Sequence, residues 1–242
     1  MQRDNDFVDQ NNPYAAPVTQ STAWESQPTD DISNEELRPF VTMWLSPRRT
    51  VRHIISVNPE LHVLLLICLG GIGGALDRFS TQNAGDDLPM TAILGSAVIF
   101  GPLGALFGLW IGSHLIRITG VWMGGIGDRV HIKTAMAWAS VPTFFGMLFW
   151  IPQIVLLGPD MFTTEMPRVA ANPILALPLL VMGIAEVILA IWAFILLCNA
   201  IAEVQGFRSA WRGFLNLLAA GLLVAIPVIG IAVLLMGLVA AT

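Results

Sequence analysis

Five long apolar runs constrain this chain more than any other feature, because a run of that length can cross a lipid bilayer as a helix. A helix needs about 20 predominantly apolar residues to span the hydrocarbon core. The connections between the runs are under twenty residues each, so no soluble domain fits between them. We therefore predict an all-α integral membrane protein with five transmembrane helices. The predicted spans cover residues about 61–76, 89–116, 134–157, 173–202 and 213–241.

The composition supports this class and divides the chain into three parts. Of the 242 residues, 55% are hydrophobic and 12% are charged, whereas soluble domains carry roughly 25% charged residues. Residues 1–38 are polar and cannot bury enough apolar surface to offset the entropy of ordering, so we predict a disordered cytoplasmic tail. Residues 39–58 form an interfacial, amphipathic and basic segment, and residues 59–242 form the five-helix transmembrane domain.

Lysine and arginine residues near the span ends predict the orientation in the membrane. Eight of them alternate onto one side of the five spans, and two, Arg78 and Arg168, fall on the other. We therefore expect a cytoplasmic amino terminus and a carboxyl terminus outside. The net charge of -5 lies mostly in the tail and gives no indication of a nucleic-acid partner. The eight residues are Arg48, Arg49, Arg52, Arg117, Arg129, Lys133, Arg208 and Arg212.

The basic segment before the first span combines an aromatic residue, Trp44, with Arg48, Arg49 and Arg52. Such a segment can lie in the membrane interface with its cations among anionic lipid headgroups, or it can contact a protein partner. The alternative is a helix that packs on the cytoplasmic face of the protein itself. The sequence leaves both readings open.

Glycines at four-residue spacing mark faces where another helix can approach closely. Gly70 and Gly74 form one such face on the first span, and Gly104, Gly108 and Gly112 form another on the second. The faces predict either packing within one bundle, which we favour, or a contact between two copies in a homo-oligomer.

Glu186 lies near the middle of the fourth span among apolar residues. An ionisable side chain at that depth is costly, and it is protonated or faces a polar interior. The structural interpretation is a carboxyl that donates a hydrogen bond to a carbonyl freed by a proline such as Pro142 or Pro178. The functional interpretation is a proton or cation site in a small transporter or channel with proline-broken helices.

Motifs of catalysis are absent from the sequence. It contains no HExxH, no GxSxG and no pair of carboxylates on one helical face. Cys68 and Cys198 both lie in apolar runs without the spacing of a metal site. We therefore expect no enzymatic activity and no cofactor. The favoured function is the organisation of protein partners or lipid at the cytoplasmic membrane face.

Three stretches resemble one known family. They are Trp44-x-x-Pro47 with the turn at Asn58-Pro59, then Gly124-Gly125 followed by residues 135–142 (AMAWASVP), then residues 202–211 (AEVQGFRSAW). Their order and spacing over about residues 40–240 resemble bacterial members of the YIP family.

The resemblance implies a five-span membrane protein with a cytoplasmic amino terminus and no established catalytic residues. Eukaryotic relatives in this family bind prenylated Rab-type GTPases and take part in vesicle traffic. For this chain we expect the cell membrane (inner or plasma membrane), or a secretory-pathway membrane if the source is eukaryotic.

Overall fold

The computed structural model of the chain describes residues 38–240, which form helices and turns with no strand among them. Five helical segments of this part are long and apolar enough to cross a membrane. The prediction of an all-α protein with five spans is thus confirmed, while the side of the membrane that each terminus faces stays a prediction. The segments are Val63–Thr81, Met90–Trp122, Arg129–Phe162, Pro173–Val204 and Ala210–Val233.

The described residues contain ten α-helices, of which α3, α4, α9 and α10 each form most or all of one span. Helices α5 to α7 together form the third span. In chain order they are α1 Pro39–Thr42, α2 Pro47–Val57, α3 Val63–Thr81, α4 Met90–Trp122, α5 Arg129–Ala139, α6 Val141–Met147, α7 Trp150–Leu157, α8 Pro167–Ala171, α9 Ala176–Val204 and α10 Ala210–Ala240.

The first span is longer than its apolar run. The sequence places its end at Leu76, but α3 continues to Thr81. Asp77 and Arg78 therefore lie on a transmembrane helix and not in a loop. The predicted amino-terminal tail, residues 1–38, lies outside the described residues except for Arg38.

The third span is broken between α5 and α6, where Pro142 has no amide hydrogen to donate. Hydroxyl groups at the break bond to carbonyls of the same turn. The Ser140 hydroxyl donates to the Ala137 carbonyl at 2.6 Å, and the Thr143 hydroxyl donates to the Ser140 carbonyl at 2.6 Å. The two bonds hold the bend without a partner from another helix.

Helices α3 and α4 pack most extensively against each other, while α9 contacts α2, α5, α6 and α10. The backbones of α3 and α4 come closest at Gly71 and Gly101. A Cβ atom on Gly71 would lie only 2.5 Å from the Gly101 carbonyl oxygen, so this crossing requires a residue without a side chain.

Two apolar clusters form the core, one towards each end of the bundle. Trp138 is fully buried in the cluster beneath α2, and its indole nitrogen donates to the Leu61 carbonyl at 3.0 Å. Trp150 and Phe162 stack with centroids 5.6 Å apart in the other cluster. The outer faces of the spans instead expose large apolar side chains such as Phe107 and Ile188, as expected where lipid is the solvent.

Candidate functional site

The end of the bundle that carries α2 gathers most of the basic residues identified in the sequence. Helix α2 begins with Pro47 and packs against α9 and α5. Its apolar face is covered, since Val51 is 0% and Ile54 1% exposed. Trp44, just before α2, is half-buried and meets the Phe145 ring edge-on, with centroids 5.5 Å apart.

Arg48 joins α2 to the turn between α9 and α10. Its Nε donates to the side-chain oxygen of Asn199 at 3.3 Å. One of its terminal nitrogens donates to the carbonyls of Phe207 at 3.3 Å and Arg208 at 3.4 Å. This guanidinium is therefore engaged by the protein's own backbone.

Arg52 lies one turn further along α2 and forms an ion pair with Glu203, with 2.6 Å between nitrogen and oxygen. The Arg52 side chain is 60% exposed, so the pair sits at the surface. Arg49, between them in sequence, lies on the exposed side of α2. Of the two readings of this segment, the contacts of Arg48 and Arg52 fit a helix packed on its own protein; contact with lipid or a partner stays a prediction.

The Gln205 side chain lies in a cradle formed by Gly120, Gly125 and Gly127. The fold of the α4–α5 turn against the end of α9 brings these residues together, and no motif in the sequence predicts it. Its amide nitrogen donates to the Ile116 carbonyl at 3.1 Å, and its side-chain oxygen accepts from the Gly127 amide at 2.9 Å. A Cβ atom would fall 2.0 Å from this side chain at Gly120, and 2.5 Å at Gly125. Two of the three stretches that carry the family resemblance thus meet at Gln205.

A second polar contact links α4 to α10. The Thr119 hydroxyl donates to the side-chain oxygen of Asn216 at 2.6 Å, and both residues are 0% exposed. Arg212 donates to the Met123 carbonyl at 2.8 Å and lies 4.7 Å from the Phe207 ring centroid. These contacts hold the α4–α5 turn against the α9–α10 turn.

Asp128 caps the amino terminus of α5 and contributes a negative charge at this end of the bundle. Its carboxylate accepts from the Val130 amide at 3.2 Å, which satisfies a donor at the helix start. Hydrogen bonds from the backbone amides of Arg129 and Val130 lower the pKa of Asp128 below its usual value. Arg129 in turn lies 2.7 Å from the His114 ring.

Four of the five glycines predicted to form helix-packing faces do not lie at a close helix contact inside the bundle. A Cβ atom on Gly70, Gly74, Gly104 or Gly108 would meet no atom within 4 Å, and on Gly112 it would lie 2.9 Å from the Met136 methyl carbon. The close contact falls instead on Gly71 and Gly101. A role of Gly104 and Gly108 in a homo-oligomer stays a prediction.

Glu186 lies in the half of the bundle away from α2, and its carboxylate accepts from the Gln153 side chain at 2.8 Å. It lines a cavity of about 630 Å³ together with Asp77. Asp77 accepts from the Trp150 indole nitrogen at 3.1 Å. Sequence reasoning found Glu186 but missed Asp77, because it placed Asp77 in a loop. Among the described residues, no group of three or more histidines, cysteines and acids is placed to hold a metal ion.

Comparison with known proteins places most of the chain in one family model. The model described as the Yip1 domain matches residues 41–236. The match begins just before α2, takes in both turns that meet at Gln205, and includes all five spans. No protein of the curated set and no solved structure matches the chain.

Proposed function

This chain belongs to the Yip1 family of multi-pass membrane proteins, and from that premise we propose that it is a non-enzymatic protein that organises lipid or protein partners at the membrane face carrying its basic end. This face is the cytoplasmic one in our proposal, because arginine and lysine residues are retained on that side. The membrane is the cell membrane, inner or plasma.

The anchoring of α2 is the observation that carries this proposal. Arg48 and Arg52 fasten the helix to α9 and to the turn after it, so the face next to it is preformed. A rigid surface loses less entropy on binding than one that must first be ordered.

Exposed apolar side chains lie at the same end of the bundle as this anchored helix. Leu45 is 86%, Ile126 85% and Trp211 64% exposed. Ile126 bonds through its amide to the Gln205 carbonyl at 3.2 Å, so it belongs to the same end as α2. Large apolar groups next to arginines are typical of a surface that meets lipid headgroups. Anionic lipid is therefore the first contact that we propose for this face.

The proposal is tested by anionic-lipid retention in native mass spectrometry of the full-length protein. Arg208→Gln removes one exposed cation from the basic end and leaves the Arg208 carbonyl, which accepts from Arg48, in place. We expect about fivefold weaker retention of phosphatidylglycerol, since one such cation contributes roughly 1 kcal/mol. Arg168→Gln, which removes one cation from the other end, is the matched control. Equal losses in the two variants would contradict the proposal.

Transport is the second candidate function, and one specific observation favours it. The sequence alone gives Glu186 no second intramembrane carboxyl as a partner. Asp77 is a candidate for that partner, because both acids line one cavity. Intramembrane acids that share a cavity are a feature of proton and cation pathways. Transport is tested by proton or cation flux into proteoliposomes. Flux that Glu186→Gln abolishes would support transport, and equal flux in the natural protein and in this variant would contradict it.

A further inference from the structure

Two cavities flank α3, and they share one wall. The first has a volume of about 460 Å³ and the second about 630 Å³. Gly70, Gly74 and Thr143 line both of them. The pair thus forms a groove that passes over the glycine face of α3.

Missing side chains keep the groove open. A Cβ atom on Gly70 or Gly74 would meet nothing within 4 Å, and the same holds for Gly183 on the opposite wall of the second cavity. Phe100 lines the first cavity and is 66% exposed on the outer face of α4. The groove is therefore reached from the surface that faces lipid.

Opposite charges line the two sides of the groove. Arg78 lines the first cavity, and Asp77 and Glu186 line the second. Consecutive residues of a helix point about 100° apart. Asp77 and Arg78 follow Gly74 by three and four positions, so both lie one helical turn from Gly74 on the same side of α3.

The two carboxylates retain the capacity to accept a donor. Asp77 accepts from Trp150 through one oxygen, and Glu186 accepts from Gln153 through one oxygen. No second donor to either carboxylate is found within residues 38–240. Two acids that line one intramembrane cavity can be neutralised by a group of opposite sign. This wall is therefore suited to a cationic group that donates several hydrogen bonds.

We propose that the groove binds the headgroup of a phospholipid with a primary amine, with its phosphate on Arg78 and its ammonium on Asp77 and Glu186. Each polar element of the groove then has a matching part of the ligand. A choline headgroup has no N–H to donate to the carboxylates, and a glycerol headgroup carries no cation. The occupant is a lipid and not a free headgroup, because the groove opens on the apolar surface and its walls are mostly apolar.

The proposal is tested by native mass spectrometry of the full-length protein with phosphatidylethanolamine, phosphatidylcholine and phosphatidylglycerol at equal concentration. We expect the ethanolamine lipid to be retained about tenfold over the choline lipid, because only its ammonium donates to the carboxylates. Gly74→Leu places a side chain in the groove, and its Cβ atom meets no other atom within 4 Å, so retention of the ethanolamine lipid falls to the level of the choline lipid. Gly108→Leu adds the same bulk outside both cavities and leaves the preference unchanged.

Charge variants give an independent measurement that does not alter the shape of the groove. Asp77→Asn lowers the preference for the ethanolamine lipid over the choline lipid, and Asp87→Asn, on an exposed loop nearby, does not. Thermal unfolding in detergent verifies that each variant is folded.

Three results would overturn the proposal. They are equal retention of the ethanolamine and choline lipids, a preference that survives Gly74→Leu, and displacement of the lipid by an equal concentration of soluble glycerophosphoethanolamine. The last result would assign the groove to a free headgroup. None of these results affects the comparison of Arg208→Gln with Arg168→Gln. The lipid site in the groove and the proposed function at the basic end are therefore tested independently.

Discussion

The side-chain oxygen of Gln205 accepts a hydrogen bond from the backbone amide of Gly127 at 2.9 Å, although 78 positions separate them in the chain. Gln205 is 1% exposed, and the Gly127 amide belongs to the turn before α5. The bond ties the second and third spans to the fourth. It also explains why small residues cluster at Gly120, Gly125 and Gly127, since the Gln205 side chain occupies the space next to each.

The Gly120→Ala variant tests this cradle. The added methyl group would fall 2.0 Å from the Gln205 amide nitrogen, so the amide must leave its two hydrogen bonds. We expect the free energy of unfolding to fall by about 1–3 kcal/mol. Gly108→Ala is the control, because its methyl group meets no atom within 4 Å. Thermal unfolding in detergent measures both, and equal melting temperatures for the two variants would show that the cradle does not constrain Gln205.

Removing the Arg48 guanidinium should loosen α2 before it affects the rest of the bundle. Arg48→Gln loses the contacts with Asn199, Phe207 and Arg208, which are long at 3.3 to 3.4 Å. We expect a local cost of about 1 kcal/mol, seen as roughly fivefold faster amide hydrogen exchange in residues 48–57. Exchange in α4 should not change. If exchange accelerates equally in both helices, Arg48 supports the whole fold and not the docking of α2.

The charge of Asp128 should make the stability of the protein depend on pH. Its pKa is lowered in the folded protein by the backbone amides of Arg129 and Val130. The stability that it contributes is therefore fully present above the unfolded value, about 3.9, and is lost as the pH falls through the lower folded value.

Asp128→Asn keeps a side-chain oxygen at the cap and removes the titration. The difference in melting temperature between the natural protein and this variant should be constant from pH 5 to 7 and should shrink below about pH 4. A difference that stays constant down to pH 2.5 would mean that the cap does not depend on the charge.

We expect substitutions at Asn216 and Thr119 to have non-additive effects on the free energy of unfolding, because the two side chains share a hydrogen bond. The Asn216 side-chain nitrogen is buried without a hydrogen-bond partner in the part of the chain that the structure describes. Asn216→Leu removes that cost, and the Thr119 hydroxyl still donates to the Leu115 carbonyl at 2.9 Å, so we expect a change below about 1 kcal/mol.

Thr119→Val instead removes the donor to the Asn216 side-chain oxygen, and we expect a cost of about 1–3 kcal/mol because both polar atoms of a buried amide then lack this pairing. The double variant should recover most of that loss. Urea or thermal unfolding of the four proteins gives the coupling energy, and additive effects would show that the two side chains do not share this bond.

The five spans could be predicted from the sequence because length and apolarity alone decide whether a helix crosses a bilayer. The ends of the spans could not. The apolar run stops at Leu76, but backbone hydrogen bonds continue the helix to Thr81. The span predicted for residues 61–76 therefore excludes Asp77, and the pattern does not reveal a second acid beside Glu186.

The rotation of each helix about its axis is the other property that the sequence does not contain. Four-residue spacing selected Gly70 and Gly74, yet α3 turns Gly71 towards Gly101. The two possible faces differ by a single residue, and hydropathy does not separate them because all sides of this helix are apolar. The contact between Gln205 and the glycines of the α4–α5 turn could not be predicted either. Neither of the two sequence stretches indicates which part of the chain packs against it.

The contacts of Arg48 have a consequence for how the molecule is made. Arg48 emerges early from the ribosome, whereas its acceptors on Asn199, Phe207 and Arg208 follow about 150 residues later, at a separation of 151 positions for Asn199. Helix α2 therefore cannot dock until the fourth span has been synthesised and inserted. A chain that stops short of α9 lacks all three acceptors of the Arg48 guanidinium.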